Sequence, residues 1–152
     1  MDLKVFSTSM GDSRYEGFAR RVRDNALLRR AMWSDAEHSF EEGIDKEWSV
    51  VTGPFNSPWA WCAHRIDDRG VLVCSDGYER KGLGRRYGLH TLAYRWRHEN
   101  TVFHHSGPAE VYLFEDPPTL IPMYLADGWQ RTGVTGPGEL PGHVWHKLVR
   151  LP

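Results

Sequence analysis

The feature that most constrains the fold is a change in apolar spacing across a glycine-containing turn. Between Trp48 and Ser75, apolar residues follow the pattern of β-strands. From Leu83 they recur every three or four residues, as on one side of an α-helix. The turn between them, Arg80 to Arg85, contains Gly82 and Gly84. A strand that leads through such a turn into a helix is typical of an α/β or α+β protein.

Further strand and helix patterns continue on both sides of this turn. Two capping boxes, Ser13 with Glu16 and Ser34 with Glu37, predict helix starts, and 67–70 predicts a hairpin turn. The predicted strands span residues 3–8, 48–52, 58–66, 71–75, 109–115, 129–135 and 143–151, and the predicted helices span about 13–26, 34–43, 83–100 and 118–126. We therefore expect a mixed, mostly antiparallel, twisted sheet of about six to seven strands, flanked by about four helices.

Composition predicts one globular domain, residues 1–152. Hydrophobic residues make up 40% of the chain, which is enough for a packed core, and no repeat or linker divides it. A formal net charge of −1 argues against broad binding to nucleic acid or to an anionic membrane. Neither a signal peptide nor a membrane span is recognisable, so we expect a cytoplasmic protein. Cys62 and Cys74 are predicted to be reduced packing residues.

The turn at 80–85 is a predicted anion site. A strand that runs through a turn into a helix leaves backbone N–H groups unpaired near the positive end of the helix dipole. Glycine allows a phosphate to approach the backbone closely, and basic side chains concentrate positive charge around it. The alternative is an ordinary tight turn that leads into a solvent-exposed helix.

Two stretches of the sequence resemble the GNAT superfamily of N-acetyltransferases. The segment 78–84 resembles the family's Gln/Arg-x-x-Gly-x-Gly/Ala pattern at both glycines, with Glu79 at its first position. The segment 123–133 resembles the family's Tyr-x-x-x-Gly-Phe motif, with Tyr124 and Gly128 in place and Trp129 instead of Phe. An asparagine that often lies seven residues before the tyrosine is Pro117 here.

The resemblance implies an enzyme that uses acetyl-CoA, or another acyl-CoA, as co-substrate. Tyr124 is then the general acid that protonates the departing CoA thiolate, a role that suits a phenol protonated at neutral pH. The pyrophosphate would be held by the turn residues Arg80, Lys81, Gly82, Leu83, Gly84 and Arg85. The pantetheine arm would bind the backbone of Cys74 and Asp76, where the family's strand separates from its neighbour. Without the resemblance, Tyr124 is equally a packing residue of a short helix.

The acyl acceptor implied is the amine of a small molecule, which must lose a proton before or during attack. Candidate bases are the carboxylates Asp76, Glu115 and Asp116. On the predicted second helix, Glu37 and Glu41 would attract a cationic amine, or they form a solvent-exposed acidic face.

Other functions stay open at this point. A non-catalytic module that binds CoA or another phosphorylated ligand, and a protein or peptide N-acetyltransferase, are the alternatives to a small-molecule enzyme. The histidines lack metal-ligand spacing, so no metal is expected. The sequence is compatible with a homodimer.

Overall fold

The computed structural model describes residues 3–25, 28, 46–79, 88–113, 120–137 and 144–151. Seven strands form one sheet: β1 (Lys4–Ser9), β2 (Glu47–Thr52), β3 (Pro58–Ile66), β4 (Leu72–Glu79), β5 (Ala109–Leu113), β6 (Gln130–Pro137) and β7 (Val144–Arg150). The α-helices in this part of the chain are α1 (Ser13–Asp24), α2 (Leu89–Arg97) and α3 (Leu120–Ala126). The helix predicted at 34–43 lies outside the described residues.

The sheet is mixed, as predicted. Its strand order is β1-β2-β3-β4-β5-β7-β6, and every neighbouring pair is antiparallel except β4 with β5. That parallel pair needs a crossover connection, and α2 lies within it. The one parallel contact is thus bounded by antiparallel strands on both sides.

Helix α1 begins one residue earlier than its capping box predicts. Asp12, rather than Ser13, is the N-cap: its backbone is extended, and its Oδ1 accepts a hydrogen bond of 2.8 Å from the backbone N–H of Arg14. A carboxylate at this position also interacts favourably with the helix dipole. The apolar stripe of α1 is buried as predicted, by Tyr15, Phe18, Ala19 and Val22.

The hairpin turn before β4 forms as predicted. Asp67 Oδ1 accepts hydrogen bonds from the backbone N–H groups of Arg69 and Val71, at 2.9 and 3.1 Å, and Gly70 adopts a φ of 79°. The strand that follows is longer than predicted, since β4 runs to Glu79 and not to Ser75. It continues because β3 pairs with it as far as Ala60 opposite Glu79.

Helix α2 does not extend continuously back to Leu83, as the sequence pattern predicts. Gly88 has a φ of 58° and a ψ of 41°, in the left-handed region, which ends the α-helical backbone on its N-terminal side. The α2 helix therefore begins at Leu89, and residues 83–87 lie outside the described part of the chain. At its other end a π-helical turn, His98–Val102, follows directly.

Apolar side chains form a core on each face of the sheet. The α1 face includes Phe18, Trp48 and Trp61. The larger core, which we call the α2–α3 core, comprises Val51, Trp59, Ala60, Cys62, Leu72, Cys74, Leu89, Ala93, Tyr94, Val102, Ala109, Val111, Leu113, Leu120, Ile121, Tyr124, Trp129 and Leu148.

Trp59 and Trp61 are two residues apart on β3, a spacing that places side chains on one face of a regular strand, but they pack in different cores. The reason is a bulge. Thr52 pairs with Pro58 and Val51 pairs with Ala60, which leaves Trp59 as an extra residue and interrupts the alternation of side chains.

Both cysteines are buried free thiols, as expected. Of the helices in the described ranges, none combines the length and the apolar character that crossing a membrane requires.

Two glycine-to-alanine substitutions, one at Gly53 and one at Gly17, should change the stability of the protein in opposite directions. A Cβ on Gly53 would overlap the ring of Trp59, so Gly53→Ala should lower the free energy of unfolding by about 1–3 kcal/mol. In the interior of α1, a Cβ on Gly17 would lie 3.2 Å from Nη1 of Arg21, the mobile end of a long side chain. Gly17→Ala should therefore stabilise the protein by roughly 0.5–1 kcal/mol. Urea unfolding measures the free energy of unfolding of both variants. A change of the same sign in both would contradict this expectation.

Candidate functional site

The site begins where the pairing of β4 with β5 ends. Their parallel ladder consists of Leu72 with Ala109, Val73 with Glu110 and Cys74 with Val111. Beyond Cys74, β4 continues to Glu79 and stays paired with β3, but it pairs with no described residue of β5. On this side of residues 75–79, the backbone N–H and C=O groups therefore have no strand partner among the described residues. We call the space beside these groups the β4–β5 gap.

A bulge in β4 lies at the start of this gap. Ser75 pairs with Ala63 and Gly77 pairs with Cys62, so Asp76 is the extra residue. A bulge redirects the backbone groups of the strand and increases its twist. On the other side of the gap, β5 stays in the sheet, because Tyr112 and Leu113 pair with β7. The unpaired edge on β4 therefore results from a separation of two strands within one sheet. An extended ligand can add to such an edge as a further strand does.

Tyr124, on α3, lies at the closed end of the β4–β5 gap. Its side chain has an exposed fraction of 0% and belongs to the α2–α3 core, together with Cys74 and Val111, the last residues of the parallel ladder. Its ring makes edge-to-face contacts with His98 and Trp129, with ring centroids 5.4 and 5.1 Å apart. Contacts on two sides hold the ring in one orientation.

The Tyr-x-x-x-Gly-Trp segment owes its spacing to the end of α3. The carbonyl oxygen of Tyr124 accepts hydrogen bonds from the N–H groups of Asp127 and Trp129, at 3.0 and 3.1 Å. Gly128 has a φ of 89°, a conformation that glycine adopts without a Cβ clash and that turns the chain out of the helix. The turn returns Trp129 onto the Tyr124 ring.

A fully buried arginine contacts the Tyr124 hydroxyl. Arg97, the last residue of α2, has an exposed fraction of 0%. Its Nη1 donates a hydrogen bond of 2.8 Å to the carbonyl oxygen of Ala63 on β3, and its Nη2 donates one of 3.5 Å to Oη of Tyr124. The guanidinium also lies over the ring of Tyr94, 4.6 Å from its centroid. Buried cations are rare, and each contact here offsets part of the desolvation cost.

Burial raises the pKa of Tyr124 to about 12, while the positive charge of Arg97 acts in the opposite direction. The phenol is therefore protonated at neutral pH. If it gives up that proton, the adjacent guanidinium stabilises the phenolate that remains. Burial likewise raises the pKa of the Cys74 thiol, which stays neutral.

A histidine and a carboxylate complete the surroundings of Tyr124. His98 Nε2 lies 3.1 Å from Oδ2 of Asp127, and the same oxygen accepts a hydrogen bond of 3.4 Å from Nε1 of Trp129. Asp127 thus links the end of α2 to the end of α3. This link keeps the rings of His98 and Trp129 packed against Tyr124.

The structure brings together Tyr124 and Cys74 of the predicted site residues. For Asp76 it describes the backbone, at the bulge, but not the side chain. The other predicted residues lie outside the described part of the chain: Glu37, Glu41, Arg80, Lys81, Gly82, Leu83, Gly84, Arg85, Glu115 and Asp116. Their roles stay predictions.

Arg97 is a residue that the sequence reasoning missed. It follows Leu89 and Ala93 at steps of four on α2, which places it on the buried stripe of that helix. A charged residue in an apolar stripe is a detectable sign of a buried polar contact. Within the described ranges, no group of three or more His, Cys, Asp or Glu side chains could hold a metal ion.

Tyr124 should titrate far above an ordinary tyrosine. Its pKa of about 12 lies above the usual 10.0, so its contribution to stability is complete below pH 10 and is lost as pH rises towards 12. A tyrosinate absorbance titration of the wild type minus that of Tyr124→Phe isolates this group. Arg97→Met should raise the pKa of Tyr124 further, because it removes a cation, whereas Arg95→Met on the exposed side of α2 should not. A difference titration centred near pH 10 would contradict this account.

Several solved structures that resemble this chain are named as acetyltransferases of the GNAT family. A GNAT-family acetyltransferase from Bacillus cereus is 15% identical, with a TM-score of 0.51 over 99% of this chain and 98% of that one. A second, from Staphylococcus aureus, is 10% identical, with a TM-score of 0.53 over 98% of each chain. A chain of the NatC complex bound to Gag peptide and CoA is 13% identical, with a TM-score of 0.57 over 98% of each chain.

By sequence, neither a family model nor a curated protein matches the chain. Identities of this size establish the fold and leave the activity open. The similarity to these structures extends over nearly the whole length of the chain. The chain therefore has the fold of the GNAT acetyltransferases, the superfamily that its two sequence motifs resemble.

Proposed function

We propose that this protein is an acyl-CoA-dependent N-acyltransferase that transfers an acetyl group from acetyl-CoA to the amine of a small molecule. The observation that carries the proposal is the end of the β4–β5 ladder at Cys74, directly beside a buried and protonated Tyr124. An unpaired strand edge and a proton donor at its closed end are what binding and cleaving an extended thioester require.

The backbone of β4 would bind the pantetheine arm. Pantetheine is an extended chain with two amides, and the N–H and C=O groups along residues 75–79 that pair with no described residue of β5 match such a chain. The pyrophosphate would follow at residues 80–85, directly after the end of β4. Because α2 begins only at Leu89, we assign the phosphate contacts to the amides of Gly82 and Gly84 and to the cations Arg80, Lys81 and Arg85.

Acyl-CoA supplies a carbonyl carbon that is activated by its bond to sulfur. The amine nitrogen of the acceptor forms a bond to this carbon, the carbon–sulfur bond breaks, and its electron pair leaves with sulfur. Tyr124 donates its phenolic proton to that sulfur, and a carboxylate accepts the proton lost by the amine. Asp76, Glu115 and Asp116 are the candidates for this base. Proton transfer back to Tyr124 restores the enzyme.

Arg97 would support the acid by two means. Its Nη2 donates to the phenol oxygen, which leaves the phenol's own proton free to be directed elsewhere. Its charge also lowers the free energy of the phenolate formed when that proton is given up. Ala63 holds the guanidinium in place through its carbonyl.

A peptide amine is the second candidate acceptor. The NatC complex, whose chain shares this fold, is bound to a Gag peptide and CoA. Mass-spectrometric detection of acetylated peptides separates this activity from transfer to small amines. A module that binds CoA without catalysis would show neither product.

Tyr124→Phe should lower kcat about 100-fold or more, because it removes the acid that protonates the thiolate. Release of free CoA thiol, followed with acetyl-CoA and a panel of amines, measures the effect. Tyr15→Phe, a buried tyrosine on the opposite face of the sheet, is the matched control and should retain activity. Full activity of Tyr124→Phe across the pH range would show that another group is the acid.

CoA alone should bind and raise the melting temperature, because a ligand that binds only the folded state stabilises it. Calorimetric titration and thermal unfolding measure this binding. Gly84→Val should abolish it, since a branched side chain blocks approach of the pyrophosphate to the backbone. Tyr124→Phe should bind CoA as the wild type does. No heat and no thermal shift with wild-type protein would reject the proposed cofactor site.

A further inference from the structure

An open cavity lies on the protein surface, outside the β4–β5 gap. It has a volume of about 470 Å³ and lies between α1 and the connection from β2 to β3. Small-molecule sites commonly have volumes of roughly 300–1,000 Å³. Its walls are formed by Arg21, Pro54, Phe55, Ser57 and Trp59. None of these residues takes part in the acyl-transfer chemistry described above.

One wall is an aromatic side chain held in solvent by a strained backbone. Phe55 has an exposed fraction of 95%, and it adopts a φ of 61°, followed by Asn56 with a φ of 57°. Two consecutive non-glycine residues in the left-handed region cost free energy, and strain of this kind is concentrated at ligand sites. The loop is kept in this shape by hydrogen bonds from Gly53 N–H to the Ser57 carbonyl, 3.0 Å, and from Ser57 N–H to the Pro54 carbonyl, 3.3 Å.

The side chain of Trp59 supports the loop at Gly53. Its ring is buried and packs directly on Gly53, where any Cβ would overlap it. The bulge at Trp59 turns this side chain out of the alternation of β3 and towards the loop. The strained loop thus rests on a fixed aromatic base, which gives the cavity two aromatic walls that do not depend on a bound ligand.

The opposite wall supplies an available positive charge. Arg21 is exposed on α1, and its one hydrogen bond runs from Nη1 to the carbonyl of Gly17, 3.1 Å. Among the described residues, no carboxylate forms an ion pair with Arg21. Four of its guanidinium N–H groups are therefore left for another acceptor. A planar guanidinium with several free donors is suited to bind a carboxylate through two hydrogen bonds.

The cavity is placed beside the strand that borders the gap. Trp59 precedes Ala60, which pairs with Glu79 at the end of β4. Glu79 lies five residues beyond Cys74, roughly 16 Å along the strand, so the cavity lies near the end of β4 that is remote from Tyr124.

We propose that this cavity binds an organic carboxylate with an aromatic or bulky apolar body, the carboxylate on Arg21 and the apolar body against Phe55. Binding at this cavity does not require the acyl-transfer activity. The positive charge of Arg21 disfavours ligands that are purely cationic.

Three probes of similar shape but different charge test whether the cavity prefers a carboxylate. Hydrocinnamate, hydrocinnamamide and phenethylamine share a phenyl ring and a short chain but carry a negative, a neutral and a positive end. Titrations followed by calorimetry and by backbone amide NMR, without acetyl-CoA, should show hydrocinnamate binding, with shifts at Gly53 and Ser57. The amide and the amine should bind at least about fivefold more weakly. Equal binding of all three, or preference for the amine, would overturn the proposal.

Substitutions of the residues that line the cavity test which side chains contact the ligand. Arg21→Gln should weaken hydrocinnamate binding about fivefold, whereas Arg20→Gln, an exposed arginine on the same helix, should leave it unchanged. Phe55→Ala should weaken all three probes, because it removes the aromatic wall they share. If Arg20→Gln and Arg21→Gln act equally, the charge acts at long range and the assigned contact is wrong.

Discussion

The loss of one backbone ladder between two strands of an otherwise continuous sheet organises the whole site. β4 and β5 are the only parallel neighbours in the described sheet, and their pairing ends after Cys74 and Val111. Each strand remains held on its other side, β4 by β3 and β5 by β7. Because neither strand needs its partner to remain in place, the protein can leave polar backbone groups available without losing the strands that carry them.

A buried cation holds the closed end of that separation together. Arg97 connects three elements: it belongs to α2, it donates to the backbone of β3 at Ala63, and it contacts Tyr124 on α3. Burying this charge costs free energy, which the hydrogen bonds and the ring of Tyr94 offset. The same charge makes it easier for Tyr124 to give up a proton, although burial alone raises its pKa. Structure and proposed chemistry therefore depend on one contact.

The two proposed binding sites use different physical means. The strand edge of β4 offers repeated backbone groups, which suit an extended ligand whatever its side chains. The cavity beside Phe55 offers a cation and two aromatic walls, which distinguish ligands by charge and shape. Loops such as the one between β2 and β3 can vary in this way without changing the strands that they connect.

The sequence by itself determined the elements, since apolar period and turn residues are local properties: the strand Pro58–Ile66, the hairpin at Gly70 and the buried stripe of α1 lie where the pattern predicts them. It also singled out Tyr124, through a motif whose spacing is that of a helix end; the catalytic role of Tyr124 stays a prediction. Tertiary structure alone decided the length of β4, which β3 extends to Glu79, and the bulge that turns Trp59 away from Trp61. Only packing placed Arg97 beside Tyr124, because a contact between residues distant in the chain leaves no local pattern.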